Sequence, residues 1–71
     1  MKKFSVALAS DSTLTHFITE ATSEINALEI LMERPELNFD DDEQNALPKD
    51  YKEARNYFMQ ELEMEVSVIE L

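Results

Sequence analysis

The chain has 71 residues, with 16 Asp plus Glu against six Lys plus Arg, a formal net charge of −10, no Cys and no Gly. A surface so strongly of one sign repels nucleic acid and anionic lipid and attracts basic surfaces. Without cysteine there are no disulfides and no thiolate metal sites, and without glycine there are no phosphate-cradling loops or dinucleotide fingerprints of the usual form.

This length predicts a single domain, 1–71, with a core small enough that self-association is the expected source of further burial. High net charge favours disorder, but a 44% hydrophobic content with regular periodicity favours a fold. Met1, Lys2 and Lys3 resemble the start of a secretion leader, yet Ser5, Ser10, Asp11 and Ser12 break the apolar run that should follow. No stretch approaches the roughly 20 apolar residues of a membrane span.

In chain order, Phe4, Val6 and Leu8 alternate with Ser5, Ala7 and Ala9, which predicts a strand over 3–9. Asp11, Ser12 and Thr13 supply oxygens suited to cap a helix. Leu14, Phe17, Ile18, Ala21, Ile25, Leu28 and Met32 follow three-four spacing, so a helix is expected over about 13–33, ended by Pro35. Residues 34–49 read as an acidic loop, with 36–39 as a candidate short edge strand and Ala46, Leu47 and Pro48 docking its far end. Asp50 is placed to cap a second helix over about 51–62, with Tyr51, Ala54, Tyr57, Phe58 and Leu62 on one face. Met64, Val66 and Val68 alternate with Glu63, Glu65 and Ser67, predicting a last strand over 63–70.

These elements make an α+β domain of β-α-α-β order, with two helices packed on one face of a small antiparallel sheet. A lone two-stranded sheet is weak. Pairing of edges across a two-fold axis, which would make a homodimer, or a third strand at 36–39 would complete it. Ala27, Ile30 and Leu31 lie off the main stripe of the first helix. They are candidates either for burial under the loop and second helix or for a dimer contact.

The chemistry-bearing motifs fall short. A calcium loop begun at Asp40 would need Gly at its sixth position and Glu at its twelfth, where Asn45 and Tyr51 stand. His16, the one histidine, reads as a solvated side chain on the polar side of its helix, with Asp11 and Ser12 as caps rather than triad partners. Paired carboxylates abound, but a chain this short rarely builds the deep groove that glycosidase chemistry needs. A non-enzyme without cofactor or metal is expected. The basic residues form no stripe, so direct nucleic-acid binding is not expected either.

The carboxylates are grouped. Glu33, Glu36, Asp40, Asp41, Asp42 and Glu43 fall in one region and Glu61, Glu63 and Glu65 in another. Glu20 with Glu24, and Glu29 with Glu33, are like charges at i,i+4 with no basic residue to relieve them. Solubility alone accounts for any one such group. The ensemble also suits a surface that imitates nucleic-acid phosphates and occupies the basic groove of a nucleic-acid-handling protein. In size and composition the chain resembles the small acidic proteins that phages direct against host defences, such as anti-restriction and anti-CRISPR inhibitors. That resemblance implies an inhibitor acting in a cytoplasm, the host's if the chain is phage-encoded. The second reading is a structural or regulatory interaction module, such as an antitoxin or dimeric adaptor, binding through Ile30, Leu31, Ile69 and Leu71.

Overall fold

The computed structural model describes residues 1–71. Two strands, β1 (Lys2–Ala9) and β2 (Leu14–Ala21), are followed by helix α1 (Glu24–Met32) and a single 3-10 turn at Pro35–Leu37. A short helix α2 (Asp41–Asn45), a longer helix α3 (Tyr51–Glu61) and strand β3 (Glu65–Glu70) complete the chain. The fold is α+β, with one antiparallel sheet of order β2-β1-β3 and the helices packed on one of its faces.

Both expected strands form, but the last begins at Glu65 rather than 63, because Glu63 and Met64 belong to the turn that ends α3. Phe4, Val6 and Leu8 of β1 are buried, as are Val66 and Val68 of β3, and they meet across the sheet at Val6–Val68 and Leu8–Val66. Helix α3 buries Ala54 and Phe58 on them and begins at Asp50, whose carboxylate accepts the Glu53 N–H at 3.1 Å. Leu47 is buried at the end of the loop before α3, as its apolar position predicts.

The expected helix over 13–33 is corrected: its first half is strand β2, and only Glu24–Met32 is helical. Leu14 and Ile18 lie on one face of β2, while Phe17 and Ala21 lie on the other, so their three-four spacing spans two surfaces. Asp11 and Ser12 are the two-residue turn of the β1–β2 hairpin, not helix caps, and Ser10 N–H donates to the Thr13 carbonyl at 2.8 Å. The helix starts instead at Ser23, whose hydroxyl accepts the Asn26 N–H, a cap worth about 1 kcal/mol. The third strand of the sheet is therefore residues 14–21 rather than 36–39, where the chain makes the 3-10 turn.

Ala27 and Leu31 are fully buried in the monomer's own core together with Leu28 and Met32. Of the two readings of Ala27, Ile30 and Leu31, burial rather than a dimer contact holds for Ala27 and Leu31, and of that trio only Ile30 keeps some exposure. The shorter helix turns this second apolar stripe toward the sheet.

The sheet's other face is open. It carries Lys3, Ser5, Ala7 and Ala9 from β1, Leu14, His16, Ile18 and Glu20 from β2, and Glu65, Ser67 and Ile69 from β3, with Lys3 opposite Glu20. His16 sits on this open face, exposed, with Nε2 2.7 Å from the Ser5 hydroxyl in a cross-strand hydrogen bond.

Candidate functional site: the acidic surface

Local rules explain part of the acidic run at 40–43. Asp40 is the N-cap of α2, and its carboxylate accepts the Glu43 N–H at 2.8 Å. Glu43 returns the bond, its Oε1 accepting the Asp40 N–H at 3.0 Å. This reciprocal capping box holds a helix of only five residues, and the carboxylates in its first turn also complement the positive end of the helix dipole. Asp41 and Asp42 make no such bond and are exposed.

Tyr57 joins α2 to α3. Its hydroxyl donates to the Glu43 carbonyl at 3.2 Å. Burial raises the Tyr57 pKa above the ordinary 10.0, and the negative charges of Glu43, Asp40 and Glu61 raise it further. Two acidic groups far apart in sequence, the α2 run and Glu61, therefore converge on one phenol. A phenol with a folded pKa above its unfolded value holds its proton longer in the native state, so stability falls as pH rises above about 10. Neutralising Glu43, Asp40 and Glu61 to their amides is expected to bring the Tyr57 transition, read by ultraviolet absorbance, downward. It should stay above the ordinary value, since burial is the leading cause. An unmoved transition would show that these carboxylates do not share its surroundings.

Three of the remaining candidates, Glu33, Glu61 and Glu63, stand at places that folding does not favour. Glu33 caps the C-terminus of α1 and Glu61 is the last residue of α3. A negative charge at the negative end of a helix dipole is unfavourable, and neither helix has a basic residue in its last turn to offset it. Glu63 adopts φ 56°, in the left-handed region, in the turn that ends α3, where Met64 N–H reaches back to the Phe58 carbonyl at 2.9 Å. Glycine normally fills this position because a Cβ there costs about 1–2 kcal/mol.

The groups are distributed over separate places. Glu33 lines a hollow with Glu29, Gln44, Asn45 and Lys49, which sets it beside the end of α2. Glu63 and Glu65 line another with Asp11, Met59 and Met64. Asp11, from the hairpin turn, is the acidic residue that a reading of spacing alone misses, since only the β1–β3 pairing brings it to this corner. Glu36 stands apart, with its carboxylate 3.3 Å from Arg34 Nε, while the Arg34 guanidinium lies 4.3 Å from the centre of the Phe17 ring.

The ion pairs are few: Lys2–Glu70, Arg34–Glu36 and Lys49–Glu29, at 3.7, 3.3 and 3.5 Å. Of the acidic candidates only Glu36 is in one of them, so Glu33, Asp40, Asp41, Asp42, Glu43, Glu61, Glu63 and Glu65 keep their charge un-neutralised. No group of three or more Asp, Glu or His side chains is arranged to hold a metal ion. The acids form a spread surface rather than a convergent cage. Compared with family models, with curated proteins and with solved structures, the chain finds no match.

Proposed function

We propose that this protein binds and inhibits a basic protein, one that handles nucleic acid, by laying its acidic surface in the groove that otherwise receives phosphates. The observation that carries this reading is the placement of Glu33, Glu61 and Glu63. Glu33 and Glu61 sit where a carboxylate weakens the fold, Glu63 sits where any side chain with a Cβ does, and none has an ion-pair partner. Charge added for solubility alone can be placed anywhere on the surface, including helix N-termini, where it also stabilises. Charge kept at stability-costing places fits a demand from outside the fold. Asp41 and Asp42, free of the capping box and exposed, add to the un-neutralised carboxylates. Carboxylates spread over a rigid scaffold give steered, salt-sensitive association with a Lys/Arg groove. On this reading the protein is not an enzyme and uses no cofactor. Its partner is protein rather than nucleic acid or membrane, met in a cytoplasm.

A second reading rests on a different observation. Leu14, Ile18, Ile69 and Leu71 are all exposed large apolar side chains on or beside the open sheet face. That face would serve an adaptor or antitoxin that grips its partner without charge.

Capture from a nuclease-treated bacterial lysate separates the two. The tagged protein is expected to retain a basic nucleic-acid-handling protein that elutes at moderate salt and is displaced by added duplex DNA. Asp41→Asn with Asp42→Asn, which leaves the capping box intact, should lower the eluting salt. Retention that survives high salt and is unmoved by those substitutions would overturn the acidic reading and favour the apolar face.

A further inference from the structure

The two edges of the sheet are not alike. At the β3 edge, the Tyr51 hydroxyl accepts the Val68 N–H at 2.8 Å and lies 3.5 Å from the Val68 carbonyl as its donor. Tyr51 of α3 therefore occupies the middle of that edge, which carries a carboxylate at each end, Glu65 and Glu70. Natural edges are guarded in such ways against pairing with other strands. At the β2 edge no side chain from another element bonds the backbone of Leu14–Ala21, and Arg34 touches the strand only over the Phe17 ring on the helix side. Leu14–Ala21 holds eight residues with no Pro, no Lys and a single carboxylate, Glu20, in a chain otherwise crowded with them.

The hydrogen-bond phase of that edge follows from the same Tyr51 contact. Val68 points its N–H and carbonyl away from β1, so its partner Val6 points its own groups toward β2, opposite Phe17. The Ser10–Thr13 bond continues this alternation. Thr15, Phe17 and Thr19 are therefore bonded to β1, and His16, Ile18 and Glu20 point their backbone groups outward. Within the chain, the side-chain bond made to these outward groups is a 3.3 Å contact from Thr19 Oγ1 to the Glu20 carbonyl.

We infer that β2 is a dimerisation edge, pairing antiparallel with β2 of a second copy about a two-fold axis at Ile18. His16 and Glu20 flank Ile18 by two residues on either side. With Ile18 opposite Ile18 of the second copy, His16 faces Glu20 of the second copy, and the pair occurs twice. About six backbone hydrogen bonds form from the outward groups of His16, Ile18 and Glu20. In the tautomer in which the Ser5 hydroxyl donates to His16 Nε2, the ring proton is on Nδ1, as a donor for that carboxylate. Other registers lose this complementarity. A two-fold at Phe17 sets Leu14 against Glu20 of the second copy, and one at His16 sets the two imidazoles together. On the opposite face Phe17, a half-buried aromatic at the edge, gains Thr19 of the second copy beside it. A second copy, rather than an unrelated strand, fits because donor and acceptor are placed symmetrically about one residue. The resulting sheet has six strands with all helices on one face, and the two acidic surfaces lie outside the junction. This inference rests on the sheet edge and stands or falls apart from the acidic reading.

The test uses the full chain. Sedimentation equilibrium should give a species of twice the 8.2 kDa chain mass at micromolar concentration. Ile18→Pro removes an outward N–H without touching the ladder to β1, and is expected to raise the dimer dissociation constant about 10- to 100-fold. Because the chain has no cysteine, Ile18→Cys offers one thiol per copy, set opposite its symmetry mate. It should cross-link under mild oxidation far faster than Ser67→Cys on β3. His16→Glu should weaken the dimer, and adding Glu20→His should restore it. Circular dichroism confirms that each variant is folded, and Ile18→Cys serves even if Ile18→Pro does not fold. A monomer at millimolar concentration, a dimer indifferent to Ile18→Pro, or cross-linking at Ser67→Cys as fast as at Ile18→Cys would overturn the inference.

Discussion

Phe58→Ala is expected to leave the chain largely unfolded at room temperature. Phe58 is fully buried on α3, with the Phe39 ring edge-on at 5.9 Å and the Tyr57 ring at 6.1 Å. Its truncation removes buried apolar area, two aromatic contacts and the ordering of the segment around Phe39, at a cost of about 3–5 kcal/mol. A domain of this length has about 4–10 kcal/mol of total stability. The loss is a large fraction of that, and no disulfide can hold the chain together. Ile69→Ala, on the open face, should shift the melting temperature by only a few degrees. Thermal melts of the two variants followed by circular dichroism decide the matter. A cooperative Phe58→Ala transition near the parent's midpoint would place the core elsewhere.

The triple variant Glu33→Gln, Glu61→Gln, Glu63→Gly is expected to become more stable and to bind its partner less. Removing the carboxylates at the ends of α1 and α3 relieves about 0.3–1 kcal/mol each. Glycine at φ 56° relieves the Cβ crowding, partly offset by the greater freedom of glycine in the unfolded chain. Together they come to about 2 kcal/mol, or roughly 10 °C in melting temperature for a domain of this size. Retention of the basic partner on the capture column should drop in the same variant. The opposed signs are the point: a purely solubilising role predicts the gain in stability with unchanged retention. A melting temperature that falls instead would mean that these carboxylates are structural, and the proposal would lose its principal support.

The ease of reading differs among elements for a physical reason. β1, α3 and β3 each place their buried residues on one side at one period (Phe4, Val6 and Leu8; Ala54 and Phe58; Val66 and Val68), because each covers the core with that face. Asp50 as a cap and Leu47 as an anchor are likewise visible in the residues. β2 is an edge strand with mixed faces: Thr15, Phe17, Thr19 and Ala21 inward, Leu14, His16, Ile18 and Glu20 outward. Neither face is uniformly apolar, so a helical stripe fits the same letters. Its Thr, Ile and Phe content favours a strand, but spacing outweighs that preference when the chain is read alone. For the acidic surface, the grouping and the missing counter-charges are visible in the chain. The capping box in Asp40–Glu43 follows from its three-residue spacing once a helix is placed there.

Charge, the absence of Cys and Gly, the single small domain and the elements with one-sided patterns are properties of the residue order. Whether Leu14–Ala21 extends as a strand or coils as a helix is decided by β1, whose backbone groups pair with it through the Asp11–Ser12 turn. The meeting of Glu43, Asp40 and Glu61 at Tyr57, and of Asp11 with Glu63 and Glu65, is decided by the packing of α3 and the pairing of β3 with β1. Hydrogen bonds and burial between distant segments carry free energy that local preference does not encode, and an ambiguous segment adopts the conformation those contacts reward.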